Sequence, residues 1–121
     1  MTLQYHIKMD DGAVGRYVLL PGDPGRVETI ASYYDAPHKV AQNREYCTWN
    51  GDLEGVRCSV TSTGIGGPST AIAIQELARI GASTFIRVGT CGLLQDLPVG
   101  MLVIPTGVVR GGATARAYVP D

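Results

Sequence analysis

Three short apolar runs in this chain each stop at a glycine-bearing turn, and that punctuation narrows the fold more than any other feature. Residues 16–20, Arg-Tyr-Val-Leu-Leu, run into Pro21-Gly22-Asp23-Pro24. Residues 56–62, Val-Arg-Cys-Ser-Val-Thr-Ser, alternate and run into Thr63-Gly64-Ile65-Gly66-Gly67-Pro68. Residues 84–88, Thr-Phe-Ile-Arg-Val, run into Gly89-Thr90-Cys91-Gly92. Each has the length and residue types of a strand, ended by turn formers. Helical spacing follows the first two turns. Val27, Ile30, Ala31 and Tyr34 fall at i, i+3, i+4 and i+7. Residues 69–80 read as a helix stopped by Gly81 in the C′ position. Residues 38–49 read as a strand pair or one long bent strand, and 101–110 hold a further apolar run broken at Pro105. Strands alternating with helices predict an α/β fold, with a central mixed, mostly parallel sheet flanked by helices. Ligands of such sheets gather at the carboxyl ends of the strands, where these glycine turns fall.

The chain's 121 residues suffice for one domain with a real core. A net charge of −1 gives no bulk attraction to nucleic acid or to an anionic membrane, so neither is expected as a partner. Basic residues matter here by position. Cys47, Cys58 and Cys91 are odd in number and form no C-x-x-C pair, which argues against a disulfide framework or a zinc site. The N-terminus lacks the basic and apolar regions of a secretory signal, and no apolar stretch reaches membrane-spanning length. These features predict a cytoplasmic protein. There is no G-K-[ST], H-E-x-x-H or G-x-S-x-G motif. No nucleophile–base pair surrounds His6 or His38, so neither covalent catalysis nor an organic cofactor is indicated.

Three loops offer anion-binding chemistry. In Gly22-Asp23-Pro24-Gly25-Arg26, Gly22 admits close backbone approach. Asp23 can cap the following helix with Pro24 at its first position. That helix start presents N–H groups, and Arg26 adds a fork-shaped cation. Taken alone, the same residues more often make a plain turn with a solvated arginine. In Ile86-Arg87-Val88-Gly89-Thr90, Arg87 lies in an otherwise apolar strand and, if buried, needs a partner. An anion at the strand end would serve, with Thr90 adding a hydroxyl; an ion pair with Glu76 or Asp96 would serve equally. The third loop, Gly64-Ile65-Gly66-Gly67-Pro68-Ser69, begins like G-x-G-x-x-G, but Ser69 replaces the third glycine. No acid ends the next strand. A tight turn packing a helix is favoured over a dinucleotide site. Arg44 beside Glu45 reads as a solvated pair, and His6 carries no signal by itself.

Together these segments resemble the nucleoside phosphorylase family, and within it the uridine phosphorylase branch. The matching stretches are His6, V-L-L-P-G-D-P-G-R at 18–26, N-R-E-Y at 43–46, T-S-T-G-I-G-G-P-S at 61–69 and F-I-R-V-G-T-C-G at 85–92. The resemblance implies phosphorolysis of a nucleoside by inorganic phosphate. It implies that Gly22, Arg26, Arg87, Val88, Gly89 and Thr90 bind phosphate, with Arg26, Arg87 and Thr90 acting in catalysis. It assigns Arg44 to phosphate and His6 to the ribose 5′-hydroxyl, both in a neighbouring subunit's site. Thr90 also faces the ribose, and Cys91 and Gly92 lie near the base. Glu45, Ile65 and Ser69 match positions that hold potassium between subunits. The implied assembly is a dimer or a hexamer built as a trimer of dimers.

Family chains are one domain of about twice this length, so the resemblance makes residues 1–121 the N-terminal part of such a domain. Purine-acting members share N-R-E-Y and G-D-P-G-R and are the nearest alternative. A nucleosidase would lack the arginine set. A nucleotide-binding module on the third glycine loop and an inactive fragment are the alternatives of another class.

Overall fold

The computed structural model describes residues 3–120, which divide into one unit ending at Gly89 and another beginning at Thr90. In the first unit, β1 spans Tyr17–Leu20, β2 Asp35–Asn43, β3 Tyr46–Leu53, β4 Val56–Thr61 and β5 Thr84–Arg87. They form a single sheet in the order β2-β3-β4-β1-β5. β1 runs parallel to β4 and β5, whereas β2–β3 and β3–β4 are antiparallel. The sheet is mixed, as expected, but its parallel pairings are half rather than most of the total. Residues 38–49 belong to a strand pair, β2 and β3, closed by a turn at Arg44-Glu45.

Period-two alternation along β1 divides the core between two faces. Val18 and Leu20 pack with Tyr46, with Ala73 and Leu77 of the second helix and with Ile80 just beyond its end. That helix, α2, spans Gly67–Arg79. Gly81, at a φ of 115°, ends it in the left-handed conformation that favours glycine. Leu19 points the other way, to Val60, Trp49 and the first helix. The first helix is shorter than its spacing predicts. A 3₁₀ turn at Pro24–Arg26 leads into α1, Val27–Ala31. The Ser32 hydroxyl then donates to Thr29 O at 2.7 Å, and β2 begins at Asp35. Tyr34 lies beyond α1 yet stays buried with Val27 and Ala31, so the spacing marks a buried face rather than a continuous helix.

The second unit contains one short helix, α3, at Ala113–Tyr118. The apolar run 101–110 is irregular and exposed among the described residues. A strand needs a neighbour for its backbone hydrogen bonds, and no segment within this unit supplies one.

Candidate functional site

Parallel pairing sends β1, β4 and β5 the same way, so their carboxyl ends lie at one edge of the sheet. Backbone bonds continue past the strands: Thr63 N–H to Pro21 O at 2.9 Å, Gly64 N–H to Gly22 O at 2.9 Å and Val88 N–H to Leu20 O at 3.1 Å. The first and third glycine loops are thereby laid side by side. They border a cleft of about 680 Å³ whose walls include Gly22, Asp23, Arg26, Glu45, Thr63, Gly64 and Arg87.

Both expected arginines face this cleft. Arg87 is not buried, as an apolar strand had suggested. β5 is the edge strand of the sheet, and Arg87 stands exposed at its end. Its Nη1 donates to Leu20 O at 2.9 Å and Val88 O at 2.7 Å, neutral acceptors that leave its charge unmatched. Glu76, one of the acids offered as its partner, is bound to His6 instead. Arg26 is half-buried, and its guanidinium has no ion-pair partner among the described residues.

The acids of the cleft are engaged elsewhere. Asp23 caps the 3₁₀ turn by accepting from Gly25 N–H at 2.9 Å. Glu45 accepts from Ser69 Oγ at 2.8 Å. Backbone hydrogen bonding and then Ser69 hold the Glu45 carboxyl below its ordinary value. Two unpaired guanidiniums, one keeping free donors, thus share a cleft with two carboxylates already bound to internal donors. That arrangement suits an oxyanion.

Glycine is required where the backbones crowd. Gly64 has a φ of 69°, and a Cβ there would lie 2.7 Å from Glu45 Cγ. At Gly22 a Cβ would stand 3.3 Å from Arg87 Nη2 and 3.4 Å from Gly64 O. At Gly89 it would come within 3.0 Å of Arg87 Nη1, so Gly89 lies directly beside that charge. Val88 is half-buried and supplies one of the carbonyls that hold Arg87.

Arg44 and His6 do not line this cleft. Arg44 is exposed on the β2–β3 turn at a φ of 54°. Asn43, beside it, donates from Nδ2 to His6 O at 2.7 Å. His6 and Arg44 are therefore tied to one region of the first unit. Thr90, Cys91 and Gly92 belong to the second unit, where all three are exposed.

Glu45, Ile65 and Ser69 supply oxygen chemistry of the kind a hard monovalent cation takes. Ser69 Oγ has one proton and lies within hydrogen-bonding reach of two acceptors, Glu45 Oε1 and Thr63 O, and 3.2 Å from Tyr46 Oη. Ile65 is 99% exposed at the loop tip. No cluster of three or more His, Cys, Asp or Glu that could hold a metal occurs among the described residues. Any cation here would thus rely on one carboxylate with hydroxyl and carbonyl oxygens.

Sequence reasoning missed Glu76 as a structural partner of His6. A signal was present: Ala73, Glu76, Leu77 and Ile80 fall at i, i+3, i+4 and i+7, placing a carboxylate on the buried stripe of α2.

A mixed sheet gathers glycine turns and two arginines without ion-pair partners at its carboxyl edge, an arrangement whose chemistry suits an anion. The chain belongs to the phosphorylase superfamily, whose family profile matches residues 16–121. It is 52% identical to a uridine phosphorylase of Treponema pallidum over 97% of its own length and 46% of that protein's. It is 56% identical to a uridine phosphorylase of Thermococcus kodakarensis, again over 97% of this chain and 43% of the other. A guanosine phosphorylase of Halorubrum lacusprofundi is 46% identical over 98% of this chain and 49% of its own. The chain thus spans a little under half the length of these curated relatives. Among the described residues no helix is long and apolar enough to cross a membrane.

Proposed function

We propose that the complete protein is a nucleoside phosphorylase that cleaves uridine with inorganic phosphate to uracil and ribose 1-phosphate. The observation that carries this reading is the pair of unmatched guanidiniums, Arg26 and Arg87, on one glycine-lined cleft. Breaking the glycosidic bond develops positive charge on the sugar. A phosphate held by Arg26 and Arg87 stabilises that charge and then attacks the anomeric carbon. The protein's work is positioning and electrostatics, and no side-chain nucleophile is needed.

Two relatives named uridine phosphorylase support the pyrimidine choice. The guanosine phosphorylase relative keeps a purine substrate as the second reading. The active unit is a dimer or an assembly of dimers, in which Arg44 and His6 complete the neighbour's site. Their shared tether at Asn43 supports that grouping, because one surface then carries both. Glu45, Ser69 and the Ile65 carbonyl would hold a potassium ion, which would supply fixed positive charge between subunits. We place the protein in the cytoplasm.

The test is product analysis with the complete protein. Uridine should disappear only when phosphate is present, yielding uracil and ribose 1-phosphate. Phosphate-independent release of base would overturn phosphorolysis, and a preference for guanosine would replace uridine with the purine reading.

A further inference from the structure

His6 and Glu76 are 70 residues apart in sequence, yet Glu76 receives three donors from the His6 segment. His6 Nδ1 lies 2.6 Å from Glu76 Oε1. The backbone N–H groups of His6 and Ile7 donate to Oε2 at 3.0 and 2.9 Å. Asn43 Nδ2 holds the carbonyl of the same residue at 2.7 Å. The Tyr5 ring packs edge-on against the imidazole, its centroid 4.9 Å away. Glu76 is 6% exposed, while the His6 side chain keeps 29% of its surface open. Backbone, ring plane and one ring nitrogen are thus fixed, and the imidazole still meets solvent.

We propose that Glu76 is a positioning residue that locks His6 as the Nδ1–H tautomer and presents its Nε2 lone pair to the 5′-hydroxyl of a nucleoside bound in a neighbouring subunit. The inference rests on the reading of His6 given above and extends it to a residue with no assigned role. An ionised carboxylate only accepts, so Nδ1 must carry the proton that joins it. In the neutral ring, the hydrogen bond at one nitrogen decides the state of the other. Nε2 is then an acceptor, and the ligand hydroxyl is the donor. A nucleoside without that hydroxyl leaves Nε2 with nothing to accept, which makes the Glu76–His6 pair a specificity element for the sugar's 5′ position.

The test uses the complete enzyme with uridine and 5′-deoxyuridine as alternative substrates. In Glu76→Gln, one amide oxygen replaces two carboxylate oxygens facing three donors, and the tautomer is no longer imposed. The kcat/KM for uridine should fall roughly tenfold, mainly through the nucleoside KM. The values for 5′-deoxyuridine and the phosphate KM should stay unchanged. In a His6→Ala background, Glu76→Gln should cost uridine nothing further. Equal falls for both nucleosides would mean a purely structural role and overturn the proposal, as would an unchanged preference for uridine. If Glu76→Gln does not fold, ¹⁵N shifts of the wild-type imidazole decide: a neutral ring with its single proton on Nδ1 supports the proposal, and a proton on Nε2, with or without one on Nδ1, overturns it. A wild-type enzyme that phosphorolyses no nucleoside would overturn the underlying reading, whereas phosphorolysis with an unaltered 5′ preference in Glu76→Gln overturns this inference alone.

Discussion

Glu76 carries a charge on a buried helix face, and its surroundings explain how. Burial pushes its carboxyl up, but hydrogen bonds from the His6 ring and from the Ile7 and His6 N–H groups outweigh that and hold it below its ordinary value. A carboxyl depressed on folding contributes stability above its unfolded value of about 4.3, and that contribution fades as pH falls through the folded value. Wild type should therefore exceed Glu76→Gln in urea resistance near neutrality, with the gap closing as pH falls below the unfolded value of about 4.3. A gap independent of pH would mean that the carboxylate charge is not what Glu76 contributes. The sequence marked Gly22, Arg26 and Arg87 through local motifs, because the first two lie in the turn that follows β1 and the third ends β5. It offered Glu76 to the wrong partner, since contact with His6 depends on how α2 crosses the sheet. No spacing within the chain encodes that crossing.

The β3–β4 hairpin positions the cleft's third loop, and it does so through a buried polar ladder. Thr48 stands opposite Thr61, and Asn50 opposite Ser59. Thr48 Oγ1 meets Thr61 Oγ1 at 2.9 Å, and Ser59 Oγ donates to Asn50 Oδ1 at 2.6 Å. Replacing Thr48 alone by Val leaves the Thr61 hydroxyl buried without its partner. That should cost roughly 1–3 kcal/mol, while Thr48→Val with Thr61→Val should cost less than the worse single change. Denaturation midpoints of the three variants measure this, and strictly additive losses would contradict the pairing. Gly64→Ala should be worse for function than for solubility, because a left-handed φ and a clash with Glu45 fall at the cleft itself. Phosphorolysis by Gly64→Ala at the wild-type rate would show that the loop tolerates rearrangement. Three strands, β1, β4 and β5, were legible from their apolar runs and turn residues, because Gly and Pro follow their ends closely. The length of α1 was not. Ser32 and the bend before β2 end the helix, while Tyr34 keeps the helical burial pattern without the helix.

At the scale of the first unit, Arg44 and His6 lie off the arginine-lined cleft, while Glu45 beside Arg44 borders it, an arrangement compatible with the proposed site shared between subunits. Mixing complete Arg44→Ala and Arg26→Ala enzymes should restore part of the activity each lacks, since some mixed pairs then hold one intact site. Confirmed subunit exchange without recovery would place Arg44 in its own chain's site. The carboxyl-edge location of the cleft was legible because parallel strands and glycine turns together imply it. The balance of parallel and antiparallel pairs was not, because the β2–β3 segment reads equally as one bent strand. The account stands or falls on what Arg26 and Arg87 hold. Steady-state kinetics of Arg87→Ala in the complete enzyme, varying phosphate and uridine separately, test this most directly. Loss of a charge-assisted contact should lower kcat/KM for phosphate roughly ten- to a hundredfold and leave the uridine KM near wild type. Equal losses for both substrates, or an undisturbed phosphate dependence, would contradict it.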